Sequence, residues 1–164
     1  MKETGWNPLP TSLKVITIFL GIGILSSVYS LFSGSSFGYS LLGFYISGIT
    51  GLLLIILINI LGVLLFLRGI WKRNSWTWKY GISMFSFFIV NGLLSVRTIP
   101  QIIKAINIIP SQQGIPLETV PLIEPLLTVG ITIGLIVGTI INIIFLILLY
   151  KKRSYFENNR VNIK

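Results

Sequence analysis

Any chemistry in this chain would have to come from very few side chains. Histidine, aspartate and cysteine are absent, and the acids are Glu3, Glu118, Glu124 and Glu157. Losing histidine removes the commonest general base and the commonest metal ligand. Losing cysteine removes the thiolate nucleophile, the thiolate metal site, S-acylation and the disulfide. Ser12 stands two residues before Lys14, a spacing that superficially offers an activated serine. A helix N-cap beside a lysine that lays its stem along apolar surface accounts for both residues without catalysis. Phosphate-binding loops, dinucleotide fingerprints and zinc-protease motifs do not occur. The expectation is therefore no enzyme, with no catalytic, cofactor or metal site.

What remains is neutral amide chemistry. Asn59, Asn91 and Asn142 are embedded in long apolar runs. Asn59 and Asn142 each lie eight residues before the end of their run, so they should share a depth, about 12 Å in by helical rise. An unpaired amide at that depth would cost a few kcal/mol, so the two are expected to hydrogen-bond to each other or across a dimer. Together the three asparagines could also line a polar path, although no intramembrane charge of the kind transport sites use accompanies them.

The elements that hold these amides follow from charge spacing. Lys14 and Arg68 bracket 53 uncharged residues, and Glu124 and Lys151 bracket another 26, against the ~20 needed to cross a bilayer. Only 10% of residues are charged and mean hydropathy is +0.88, where a soluble domain carries roughly 25% charged residues. The chain thus reads as one all-α membrane domain, residues 1–164, a bundle of four transmembrane helices. The expected spans are 13–32, 39–67, 76–96 and 125–150. An outer loop over 97–124 should carry a short interfacial helix between Pro100 and Pro110, where Gln101, Lys104 and Asn107 recur opposite isoleucines. Residues 111–124 should be irregular, and 151–164 a cytoplasmic tail.

Orientation follows from the basic residues. Eleven of them (Lys2, Lys14, Arg68, Lys72, Arg73, Lys79, Lys151, Lys152, Arg153, Arg160 and Lys164) fall on the side shared by both termini, and only Arg97 and Lys104 fall opposite. The positive-inside rule then places both termini in the cytoplasm of a multi-pass cell-membrane protein. Arg68, Trp71, Lys72, Arg73, Trp76, Trp78 and Lys79 interleave cations with aromatic rings, and Lys151, Lys152 and Arg153 repeat the pattern after the last span. This is the chemistry of an interfacial anchor against anionic lipid head groups, each cation contributing up to about 1 kcal/mol. Since the net charge of +9 is spread beside apolar runs and not over a separate basic face, nucleic acid is not expected as a partner.

Small residues suggest how helices meet. Gly130, Gly134 and Gly138 recur at four-residue steps, as do Gly43, Ser47 and Gly51. On helices these would be stripes on which a neighbouring backbone can approach closely, within the bundle or across a homo-oligomer seam.

The Gly-Ile-Trp turn with its short basic stretch and further tryptophans, and the final Tyr-Lys-Lys-Arg-Ser-Tyr-Phe, resemble small four-span integral membrane proteins of prokaryotes. That group has no established activity, so the resemblance implies a fold and no chemistry. Small multidrug transporters also have four spans, but their intramembrane glutamate has no counterpart here. The function expected from sequence is an accessory or structural subunit, or a lipid-associated homo-oligomer. The alternative is a small channel, uniporter or holin-like pore lined by asparagine and serine.

Overall fold

A computed structural model describes residues 9–32, 38–104 and 120–157. Most of them are helical, and four helices are long and apolar enough to cross a membrane. α1 covers Thr11–Phe32. The chain then forms a two-stranded antiparallel hairpin, β1 (Gly38–Leu41) and β2 (Phe44–Ser47), before α2 runs over Gly48–Trp71. α3 covers Thr77–Lys104, α4 Val120–Lys151, and a short α5 Arg153–Glu157.

The hairpin corrects the expected helix over 39–67. Its strands consist of Gly-Tyr-Ser-Leu and Phe-Tyr-Ile-Ser, rich in the aromatic residues that suit a pleated surface. The two turn residues, Leu42 and Gly43, both have positive φ, 49° and 85°, as the tightest hairpin turns require. A third glycine, Gly48, takes φ 71° where the strand passes into α2. Within α2, Ile55–Gly62 is wound as a π-helix, whose wider i→i−5 turns are often found at functional sites.

Three other boundaries differ from expectation. α3 does not stop near residue 96; Val96–Thr98 tightens into a 3₁₀ turn and residues 99–104 stay helical. The cause is Pro100, which has no N–H for the Val96 carbonyl; the Ile99 N–H bonds that carbonyl instead. Gln101 and Lys104 are thus helical and continue α3 directly, while residues 105–110, with Asn107 and Pro110 and the rest of the expected interfacial helix, lie outside the described residues. α4 begins at Val120 with Pro125 inside it, so 120–124 is helix where irregular loop was expected; Glu118 lies outside the described residues. Ser12 is no N-cap: it sits in the first turn of α1, its hydroxyl has no hydrogen-bond partner, and the Pro10 carbonyl takes the Leu13 and Lys14 N–H groups.

Packing is concentrated at the end of the bundle where the basic residues lie. Leu13, Ile16, Phe66, Ile70, Phe85, Leu149 and Phe156 are all fully buried there. α5 contributes Phe156, so the segment expected as a plain tail folds back and completes the core. The turn after α2 closes with Arg73 at φ 49° and paired bonds from Asn74 N–H to the Gly69 carbonyl and Arg73 N–H to the Ile70 carbonyl, the Schellman pattern of helix termination. At the opposite, hairpin end, α1 and α4 expose their large side chains, among them Leu25, Tyr29 and Phe32 on α1 and Leu126, Val129 and Ile133 on α4.

Candidate functional site

A row of edge-to-face ring contacts crosses the bundle. Phe19 of α1 meets Phe145 of α4 at 5.7 Å between centroids, Phe145 meets Phe85 of α3 at 5.7 Å, and Phe85 meets Phe66 of α2 at 5.6 Å. Such pairs are each worth about 0.5–1.5 kcal/mol beyond the area they cover. One ring from each long helix joins this row, with the packed core on its basic side.

On its other side the helices separate around a cavity of about 370 Å³, the size of small-molecule sites. α1 lines it with Phe19, Leu20, Gly23, Ile24 and Ser27, and α4 with Gly134, Leu135, Gly138, Thr139 and Asn142. α2 supplies Asn59 and Val63, α3 supplies Phe88, Asn91, Gly92 and Ser95, and β1 supplies Tyr39. Asn59 belongs to the π-helical stretch. The lining contains hydroxyls, amides and apolar groups but no acid or base other than the Tyr39 phenol, which burial pushes up to about 12 and so keeps neutral.

The three asparagines named from sequence therefore share one cavity, but Asn59 and Asn142 do not bond to each other. The Tyr39 hydroxyl donates to Asn59 Oδ1 at 3.4 Å, and Asn142 Nδ2 donates to the Gly138 carbonyl one turn back at 2.8 Å. The i→i−4 bond along its own helix is already in reach for Asn142, and the hairpin brings a phenol to Asn59. Asn91 has a different task. Its Oδ1 accepts the Leu42 N–H at 2.7 Å and its Nδ2 donates to the Ser40 carbonyl at 3.0 Å, so one amide grips the end of β1 and the first turn residue. Beside it Thr98 donates to Ser40 Oγ, Ser40 to Ser95 Oγ and Ser95 to the Asn91 carbonyl, at 2.9, 2.7 and 2.6 Å. Tyr39 and this hydroxyl row were not singled out from sequence, where Tyr39 reads only as an interface marker.

Of the small residues expected to form packing stripes, Gly43 and Ser47 are not on a helix at all; Gly43 is in the hairpin turn and Ser47 ends β2. Gly51 is buried in α2. A Cβ at Gly130, Gly134 or Gly138 would meet nothing within 4 Å, so no described element packs against these positions. Close approach occurs instead at Gly81, whose added Cβ would strike Leu149 and Phe66, at Gly69, where it would strike Thr77, and at Gly92, where it would stand 2.8 Å from Thr139 Oγ1. None of these shows a four-residue glycine spacing, which is why pattern reading passed over them.

The predicted anchor residues do gather at one end. Arg68, Trp71, Lys72, Trp76, Lys79, Lys151 and Arg153 are exposed there. The Arg153 guanidinium lies 4.6 Å from the Trp78 ring centre and Arg73 lies 4.9 Å from that of Tyr155, within cation–π range. Arg153 also donates to Glu157 at 2.8 Å. Lys152 is half-buried beside them. Compared with known protein families, curated proteins and solved structures, the chain matches none.

Proposed function

We propose that this chain is a multi-pass integral membrane protein of the cell membrane that works by binding and not by catalysis, as a lipid-associated homo-oligomer or an accessory subunit. The observation that carries this reading is the uncharged cavity among the four long helices and β1, with Phe19 of the aromatic row in its wall. A pocket whose polar groups are amides, hydroxyls and one phenol, with no carboxylate, amine or imidazole, holds a molecule by hydrogen bonds and offers it no ready general base. Both termini and the basic end are cytoplasmic in this proposal, where exposed cations and tryptophans meet anionic head groups. The exposed apolar faces of α1 and α4 then lie against lipid tails or another copy.

Gentle extraction from the native membrane followed by native mass spectrometry tests the proposal. A retained lipid or a stoichiometric partner supports it, the first favouring the lipid-associated form and the second the accessory one. A bare monomer that turns over a substrate would overturn it. The pore reading keeps one specific observation in its favour, that Asn59, Asn91 and Asn142 face a single cavity; the row of rings across the bundle counts against it. Solute flux through liposomes that falls on Asn59→Leu would restore the pore, and its absence removes it.

A further inference from the structure

We infer that the cleft between α1 and α4 is a site for an uncharged amphiphile with a free hydroxyl head, of the 1,2-diacylglycerol kind, whose acyl part leaves between the two helices. This deepens the binding function proposed above and rests on it. Head-group chemistry is set by two half-used amides. Asn59 is bonded only through Oδ1 and Asn142 only through Nδ2, so among the described residues Asn59 Nδ2 and Asn142 Oδ1 have no partner. They present a donor and an acceptor from different walls of one cavity. A hydroxyl satisfies both kinds of group at once, whereas an ester, ether or ketone satisfies only the donor. Amide groups away from water are costly until they are bonded.

Charge selects further. A phosphate or ammonium head would enter a lining without a counterion, and burying an unpaired charge costs far more than burying a neutral polar group. The tail has a route as well. Gly23 on α1 and Gly134 and Gly138 on α4 line the cavity with no atom where a Cβ would stand, and Leu20, Ile24 and Leu135 flank them with apolar surface. Phe19, also in the lining, meets Phe145 across the two helices.

The test uses the full chain in phosphatidylethanolamine–phosphatidylglycerol vesicles containing a diacylglycerol with a diazirine on one acyl chain. Two further arms carry the same chain on phosphatidylglycerol and on the acetylated diglyceride, which lacks the hydroxyl. Labelling of residues 19–27 and 134–142 should be about fivefold stronger with the free hydroxyl than with either alternative, the ratio expected of one net hydrogen bond. Gly134→Leu should abolish that labelling, Asn59→Leu and Asn142→Leu should each lower it about fivefold, and Gly130→Leu, off the lining, should leave it unchanged. Equal labelling by all three lipids, or labelling indifferent to Gly134→Leu, would overturn the inference. If Gly134→Leu does not fold, the asparagine variants and the acetylated arm decide alone. A lipid or partner retained in native spectra without selective labelling would leave the binding function standing and remove only this ligand class.

Discussion

Two glycines separate what sequence spacing suggests from what contact requires. Gly134 sits in the four-residue repeat, yet its Cβ position is empty; Gly81 has no such repeat, yet a Cβ there would run into Leu149 and Phe66. Gly81→Ala should therefore destabilise the chain by about 1–3 kcal/mol through overpacking. Gly134→Ala should be neutral or stabilising by up to about 1 kcal/mol, since alanine is the better helix former. Thermal unfolding of the two variants in the same detergent checks the pair, and a larger loss for Gly134→Ala would mean that a second chain packs on α4. Asn91→Ala removes both amide bonds to the hairpin. A cost of about 1–3 kcal/mol should appear mainly as faster amide exchange over residues 38–47, with the core at the basic end unaffected.

At the scale of elements, long uncharged runs make four helices of membrane-crossing length legible, because run length against bilayer thickness needs no knowledge of packing. The hairpin was hidden by the same property. Tyr39–Leu67 is uncharged throughout and mostly apolar, and such a run does not by itself distinguish strand from helix. Its signals were the excess of 29 residues over the ~20 that a span needs and glycines at 38, 43 and 48. The asparagines were found from residue type alone, but their partners depend on a hairpin and a π-helical stretch that no periodicity announced. α5 was missed because Phe156 sits among charged neighbours and looks like tail. Fully buried in the core, it should cost about 3–5 kcal/mol when changed to alanine. Tyr150→Ala, exposed on the same end, is the matched control, and equal melting of the two variants would mean that α5 does not dock.

For the whole molecule the two ends differ in charge and in packing. One carries the exposed cations and the closed core; the other carries the hairpin, the cavity and Arg97 beside Gly43. Because the chain has no cysteine, orientation can be read from single introduced thiols. With the basic end cytoplasmic, Phe44→Cys should react with an impermeant maleimide in intact cells and Ser154→Cys only after the cells are opened; the reverse pattern would invert the proposed orientation. In lipid, apolar burial brings little gain by itself, so cohesion rests on the fit of side chains. The largest fully buried side chains of that fit are at the basic end.

The contact of Phe19 with Phe145 then acts as a fulcrum. Beyond it α1 continues to Phe32, about 20 Å at 1.5 Å per residue, with few neighbours to restrain it. A tilt of about 5° at the rings becomes roughly 2 Å at the far tip over that length. The width of the hairpin end is thus under mechanical advantage, set by the bulk of one side chain at position 145 and by whatever presses against the far arm of α1.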